Sequence, residues 1–208
     1  MTDYAARAAR DLAALREKRP LVHNITNLVV MNFTANALLA MGASPVMAHA
    51  AGEVEEMVAL AGALVLNIGT LSEEWVESML RAGRAAAAAG TPAVLDPVGA
   101  GATRLRTAAA LRIAAEVRPR VVRGNPSEVL ALAGAAATTR GVDTTDPVER
   151  AAALAGRLAV DLGATVAVTG AVDLVTDGAR TVRVRNGHPL MSRVTGTGCA
   201  ATAAVGAF

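Results

Sequence analysis

The sequence holds few of the residues on which several classes of protein depend. A single cysteine in 208 residues excludes a disulfide within the chain. Aromatic residues make up only 2% of the chain, too few for the base-stacking surfaces of single-strand nucleic-acid binders. The formal net charge is only +2, and Lys and Arg form no basic cluster. We therefore expect no nucleic-acid partner.

Long apolar runs are also missing, because Gly, Pro and charged residues interrupt every candidate for a membrane span. Residues 1–19 are charged and amphipathic, without the apolar core of a signal peptide. The sequence thus predicts a cytoplasmic protein with no membrane partner. Apolar residues make up 53% of the chain and charged residues 18%, which indicates a compact globular domain.

Short apolar runs alternate with segments of helical spacing along the chain. The predicted strands are 20–23, 63–69, 93–97, 120–125 and 165–170, followed by a hairpin over 174–185 that turns at Asp177-Gly178. The predicted helices are 30–41, a helix capped by Ser72 and ending near Gly90, 103–117, 127–133, 147–162 and one from Cys199, with a loop over 134–146. This order predicts an α/β domain whose mainly parallel central sheet is flanked by helices.

Ligands of such sheets bind beyond the carboxyl ends of the strands. The polar residues at those ends are Asn67, Asp96, Asn125, Thr169 and the Gly-rich turn before Cys199.

That turn, Thr195-Gly196-Thr197-Gly198, is the most distinctive motif. Its glycines let backbone amides approach an anion, and the following helix points its positive end at the same place, so Thr197 and Gly198 predict an anion hole for a phosphoryl group. Cys199 lies near that helix N-terminus, where we expect a lowered thiol pKa and a base for a substrate hydroxyl. Alternatively, Cys199 is a small buried hydrophobe, or Gly196-x-Gly198 is a dinucleotide-binding turn.

Two acids and an arginine are the candidates for metal and phosphate binding. Asp96 ends an apolar strand beside a glycine-rich loop, which suits Mg²⁺ held through water, and Glu128 follows another strand end. Arg123 is placed to neutralise phosphate charge. Glu128 equally suits the first turn of a helix, and Asp96 a turn before Pro97.

A polar stretch follows the first strand. Its members, which suit either a small polar ligand or the cap of the next helix, are Asn24, Thr26, Asn27 and Asn32. Met47 suits either the core or contact with a flat heteroaromatic ring.

Several segments together resemble the hydroxyethylthiazole kinases of thiamine salvage, within the ribokinase-like superfamily. They are VHNITN at 22–27, NFTAN at 32–36, GASPVM at 42–47, LNIGT at 66–70, LDPVGAG at 95–101, RGN at 123–125 and VTGTGC at 194–199. The last is the most specific, because other ribokinase-like enzymes usually carry aspartate where Cys199 stands.

The resemblance implies a ribokinase-like three-layer fold and transfer of the ATP γ-phosphate to the hydroxyl of 4-methyl-5-(2-hydroxyethyl)thiazole. It implies that Cys199 is the catalytic base and that ATP and Mg²⁺ are required. It also implies substrate binding by Met47 and Gly196, ATP binding by Arg123 and Thr169, and metal binding by Asp96 and Glu128. To these we add, from their positions in the sequence, substrate binding by Asn24, ATP binding by Asn125 and the anion hole at Thr197 and Gly198. The resemblance also implies a homotrimer with sites at subunit interfaces.

The sequence is expected to form a single kinase domain over residues 1–208. The chain stops at Phe208 within an apolar helix, so we expect a C-terminal part that helps to enclose the nucleotide to be missing. The alternatives are another ribokinase-like enzyme, such as a hydroxymethylpyrimidine kinase or an ATP-dependent hydratase, a dinucleotide-binding oxidoreductase, and a non-catalytic thiazole-binding protein.

Overall fold

The computed structural model describes residues 3–136 and 147–208. The helices are α1 Tyr4–Lys18, α2 Met31–Met41, α3 Val54–Leu60, α4 Glu73–Ala89, α5 Arg104–Val117, α6 Pro126–Ala136, α7 Pro147–Leu162 and α8 Thr197–Ala207, with a 3₁₀ helix at Pro189–Arg193. The strands are β1 Leu21–Ile25, β2 Ser44–Val46, β3 Ala63–Asn67, β4 Ala93–Asp96, β5 Val121–Gly124, β6 Thr165–Val168, β7 Asp173–Thr176 and β8 Thr181–Val184.

The strands of the described residues form one eight-stranded sheet in the order β2-β1-β3-β4-β5-β6-β7-β8. Neighbours from β2 to β6 run parallel, and β7 and β8 extend the sheet in antiparallel pairs. Asn67 at the end of β3 is in register with Asp96 at the end of β4. The carboxyl ends of the parallel strands therefore gather these polar residues at one edge of the sheet.

Successive side chains of the central strands point to opposite faces of the sheet, so the core forms two layers. Leu64 and Leu66 pack with the helices α3 to α7 on one face, whereas Val65 packs with α1, α2 and α8 on the other. Helices thus cover both faces of a mainly parallel sheet, which confirms the predicted three-layer α/β fold. Among the described residues, the helices are either too short or too polar to cross a membrane.

The predicted boundaries hold where a local signal sets them. Ser72 Oγ accepts the Trp75 N–H at the start of α4, and Gly42 ends α2 with φ +105°. The hairpin prediction is also confirmed, with Gly178 in its turn at φ +89°. The predicted loop over 134–146 is wrong at its start, because α6 continues to Ala136, and residues 137–146 lie outside the described residues.

Candidate active site

A chain of side-chain hydrogen bonds links the ends of β3 and β4 to α8. Asn27 Nδ2 lies 3.4 Å from Cys199 Sγ and donates to Asn67 Oδ1 at 2.9 Å. Asn67 Nδ2 donates to Asp96 Oδ2 at 3.0 Å, and Thr202 Oγ1 donates to the same oxygen at 2.7 Å. Two amide side chains therefore connect the sulfur of Cys199 to the carboxylate of Asp96.

The Asp96 carboxylate is only 1% exposed. Burial raises its pKa to about 6, although the Arg123 guanidinium, with Nη1 3.9 Å from Oδ2, acts in the opposite direction. Oδ1 is buried and has no hydrogen-bond partner within the described structure. Because an unpartnered buried oxygen is costly, this atom is suited to accept a contact from a ligand or a hydrated ion.

The thiol of Cys199 is half-buried at the start of α8. Burial raises the pKa of this thiol, and the negative charge of Asp96 raises it further, whereas Asn67, Asn27 and Arg123 oppose the shift. The expectation of a lowered thiol pKa is therefore wrong. Because the Asp96 carboxylate lies near the sulfur, the neutral thiol rather than the thiolate is favoured in the substrate-free protein.

Arg123 lies directly against the first turn of α8. A Cβ on Gly198 would lie 2.7 Å from Arg123 Nη1, so the glycine is what lets the guanidinium approach this backbone. Arg123 also donates from Nη2 to Thr169 Oγ1, and its Nε is buried without a partner within the described chain. Gly196, with φ +87°, is the N-cap of this helix, whose first amides have no intrahelical partner. A cation beside a helix N-terminus is an arrangement that binds anions.

Glu128 and Asn125 form a reciprocal cap at the start of α6. Glu128 Oε2 accepts the Asn125 N–H at 2.8 Å, and Asn125 Oδ1 accepts the Glu128 N–H at 3.0 Å. Glu128 Oε1 accepts the Gly99 N–H at 2.9 Å, which ties the loop after β4 to this helix. The charge of Glu128 raises the pKa of Asp96, so the two candidate metal-binding acids share one electrostatic environment.

The described residues contain no cluster of three or more His, Cys, Asp or Glu side chains that could hold a metal ion by themselves. Mg²⁺, however, keeps several waters and is usually bound through one or two carboxylates together with substrate phosphates. The unpartnered Asp96 Oδ1 and the nearby Glu128 carboxylate fit that mode of binding.

Asn24 and Met47 take no part in the hydrogen bonds given above. Asn24 Nδ2 donates to the Val22 carbonyl at 2.9 Å, and its buried Oδ1 has no partner in the described part of the chain. The Met47 carbonyl lies 3.0 Å from His49 Nδ1, and His49 Nε2 accepts the Thr26 N–H at 3.1 Å. His49 therefore joins the segment of Met47 to the loop after β1.

The polar stretch after β1 does not cap α2 through its side chains. The N-cap of that helix is Val30, and no side-chain hydrogen bond is made there. The contact of Asn27 with Cys199 instead brings this stretch to the candidate active site.

Thr202 and Arg106 were not among the site residues predicted from the sequence. Thr202 lies one turn after Cys199, a spacing that places both on one face of α8 and was a usable signal.

Thr197 is the first residue of α8 and donates from Oγ1 to the Met191 carbonyl at 3.3 Å, which ties the 3₁₀ helix to α8.

A three-layer α/β fold with a glycine-bounded helix start, an arginine against it and a buried carboxylate at a neighbouring strand end agrees with the ribokinase-like small-molecule kinase predicted from the sequence. A ribokinase-like superfamily protein from Enterococcus faecalis shares this fold at a TM-score of 0.65 and 12% identity, with coverage of 93% of this chain and 72% of that one.

The closer comparisons identify the family. The profile of the Hydroxyethylthiazole kinase family matches residues 12–208. A Desulfotalea psychrophila protein named hydroxyethylthiazole kinase is 61% identical over 208 residues, which cover 100% of this chain and 76% of the relative. The structure of the Pyrococcus horikoshii hydroxyethylthiazole kinase matches with a TM-score of 0.88 and 54% identity, covering 95% of this chain and 74% of that one. The chain belongs to the hydroxyethylthiazole kinase family, a family of ATP-dependent kinases. The oxidoreductase alternative, which rested on Gly196-x-Gly198, is therefore not retained.

Proposed function

We propose that this protein transfers the γ-phosphate of ATP to the hydroxyl of 4-methyl-5-(2-hydroxyethyl)thiazole, in thiamine salvage. The observation that supports this most directly is the position of Cys199. Its sulfur lies in the first turn of α8, beside the backbone of Gly198 and within reach of Asn27. A substrate hydroxyl next to this sulfur would also be next to the amides that can hold a phosphoryl group.

Different residues of the site have different roles in phosphoryl transfer. The amides of Thr197 and Gly198, with Arg123 against them, stabilise the phosphate charge, and Arg123, Thr169 and Asn125 contact ATP. Gly196, Asn24 and Met47 bind the alcohol. The thiolate form of Cys199, after the thiol has lost its own proton to solvent, receives the proton of the alcohol, and Asn27 holds the sulfur in place. Because the transition state is loose, positioning and charge stabilisation contribute more than proton removal, and the raised pKa of the thiol keeps the thiolate a minor form before the reaction.

The acids of the site are proposed to hold Mg²⁺ through water, by Asp96 Oδ1 and the Glu128 carboxylate. When bound, Mg²⁺ neutralises charge on the transferring phosphate. The requirement for Mg²⁺ is supported by the buried Asp96 oxygen without a partner within the described residues.

Residues 1–208 are proposed to form a single kinase domain that works in the cytoplasm as a homotrimer with sites at subunit interfaces. An apolar rim beside the helix start supports the trimer. Leu28 is 62% exposed, Val29 73% and Phe33 43%, and a Cβ on Gly196 would lie 3.3 Å from Phe33 Cδ1. Exposed apolar side chains grouped next to a site are typical of a surface that another subunit covers.

The direct test is release of ADP from ATP and Mg²⁺ with the thiazole alcohol as acceptor, compared with a hydroxymethylpyrimidine. We expect turnover with the thiazole alcohol and much less with the pyrimidine. Preference for the pyrimidine would favour a hydroxymethylpyrimidine kinase, and tight thiazole binding without ADP release would favour a binding protein.

Variants of Cys199 test the proposed base. Cys199→Ala should lower kcat by on the order of 10² or more while the affinity for ATP stays unchanged. Cys199→Asp should retain or improve turnover, because the side chain of aspartate is already ionised at neutral pH and can accept the proton of the alcohol directly. Full activity of Cys199→Ala would remove the catalytic role of the sulfur.

A further inference from the structure

Arg106 on α5 reaches across to the carboxyl edge of the sheet. Its Nη1 donates to the Ile68 carbonyl at 2.7 Å and to the Val98 carbonyl at 3.0 Å, and its Nη2 donates to the Gly69 carbonyl at 3.0 Å. The side chain is half-buried, and no salt bridge in the described part of the chain involves it. The hydrogen bonds that this guanidinium makes in the described part of the chain go to backbone carbonyls, so it holds loops rather than a charged partner.

The first loop it holds, which follows β3, contacts the partners of Cys199. The Gly69 N–H donates to Asn67 Oδ1 at 2.9 Å, and the Gly69 carbonyl is the one that Arg106 binds. A Cβ on Gly69 would lie 2.7 Å from Asn27 Nδ2, so this peptide packs directly against the amide that contacts the sulfur. A shift of the Gly69 peptide would therefore move Asn27.

The second loop carries a partner of Glu128. The Gly99 N–H donates to Glu128 Oε1, and the preceding Val98 carbonyl accepts from Arg106. Gly99 has φ +75°, and a Cβ there would lie 3.0 Å from Arg106 Cδ. The loop thus lies closely between the arginine on one side and the acid on the other.

We propose that Arg106 is a positioning residue that fixes the spacing between these two loops, and so between the Cys199 end and the Glu128 end of the site. This inference rests on the proposed kinase function. Arginine is required because one planar guanidinium spans three carbonyls, whereas a shorter neutral side chain would leave some of them without a donor. Arg106 itself is not proposed to touch a substrate.

The test compares Arg106→Gln and Arg106→Lys with Arg112→Gln on the same helix. Arg112 makes exposed salt bridges to Glu77 and Glu116, so its loss removes an arginine of α5 without touching either loop. We expect Arg106→Gln to lower kcat by about 10- to 100-fold with a much smaller change in the KM of the alcohol, because misplacement of reacting groups reduces rate. Arg106→Lys should lie between this variant and the wild type, and Arg112→Gln should match the wild type.

A second readout needs no catalysis. Amide hydrogen exchange on the substrate-free protein should be faster at Gly69 and Gly99 in Arg106→Gln, and unchanged there in Arg112→Gln. A kcat of Arg106→Gln within about twofold of the wild type, or unchanged exchange at both glycines, would overturn the proposal. If Arg106→Gln does not fold, the same criteria are applied to Arg106→Lys. An inactive wild type would instead contradict the proposed function, while the exchange result would still decide whether Arg106 holds the loops.

Discussion

At the scale of single residues, the candidate site contains buried polar atoms whose burial does not stabilise the fold. Asp96 Oδ1 and Arg123 Nε are both buried without a hydrogen-bond partner in the described structure, although the two side chains lie only 3.9 Å apart. Leaving such atoms unpaired costs stability, and costs of this kind are characteristic of sites that bind a ligand. The unpaired atoms therefore mark where ATP and a hydrated ion are expected to complete the network.

Burial of the His23 ring also affects stability, and this effect can be measured as a dependence of the unfolding free energy on pH. Its ring is fully buried, with Nε2 2.8 Å from the Ala48 carbonyl, and burial lowers its pKa below the ordinary value of 6.5. Between pH values near the lowered and the ordinary pKa, the unfolded chain binds the proton more readily than the folded one. The contribution of His23 to stability is thus present above its ordinary pKa and is lost as the pH falls below it.

We therefore expect the free energy of unfolding of the wild type to fall relative to that of His23→Gln on acidification from about pH 7.5 to about pH 5, measured by urea unfolding. His23→Gln keeps a donor for Ala48 but cannot be protonated, and Asp96, whose raised pKa makes stability increase on acidification, contributes equally to both proteins. Equal pH slopes for the two proteins would show that His23 does not titrate in this way.

At the scale of elements, the sequence predicted most helices and strands that have a strong local signal, although the predicted helices did not include α1, which Asp3 caps. Elements that depend on distant contacts were missed. β2 has only three residues, includes Pro45, and is defined by its pairing with β1, in which Leu21 lies opposite Ser44. α3 spans seven residues, too few to establish a helical period. Both were missed because nothing in their local composition distinguishes them from loop.

The same contrast applies to the candidate site. Asn67 and Asp96 were found because residues that end parallel strands must share one edge of the sheet. Arg106 was not found, since its contacts depend on how α5 lies against that edge, whereas Thr202 was missed although its spacing from Cys199 was a usable signal. The direction of the Cys199 pKa was wrong because the helix start is visible in the sequence, whereas the packing of Asp96 beside the sulfur is not.

Two helical glycines give a test at this scale in which local and distant effects oppose each other. Gly83 in α4 lies against α5, and a Cβ there would be 2.2 Å from Val117 Cγ2, whereas nothing lies within 4 Å of a Cβ on Gly156 in α7. Helix propensity alone favours alanine at both positions. We expect Gly156→Ala to stabilise the protein by about 0.5–1 kcal/mol and Gly83→Ala to destabilise it by about 1–3 kcal/mol, measured by urea unfolding. A Gly83→Ala protein as stable as the wild type would show that α4 and α5 can separate at little cost.

At the scale of the whole molecule, the proposed substrate residues are spread across the sheet. Met47 follows β2 at the edge of the sheet, whereas Cys199 contacts the loop after β1 and, through Asn27, the end of β3. Because neighbouring strands lie about 4.8 Å apart, β2 and β3 are separated by roughly 10 Å, with β1 between them. In the proposed trimer, a small alcohol would contact Met47 of one subunit and Cys199 of its neighbour, with the exposed Leu28 and Val29 at the junction.

Mixed assemblies test this arrangement. Met47→Lys should prevent binding of the alcohol by placing a charge in an apolar ring site, and Cys199→Ala should slow the transfer step, so each variant alone should have little activity. If each site combines Met47 of one subunit with Cys199 of its neighbour, random mixed trimers from co-expression should recover about a quarter of the wild-type activity, because that fraction of junctions joins two unmodified residues. Each variant expressed alone is the control. If the site lies within one subunit, no junction in the mixture restores it, and activity no higher than that of the single variants would contradict the shared site.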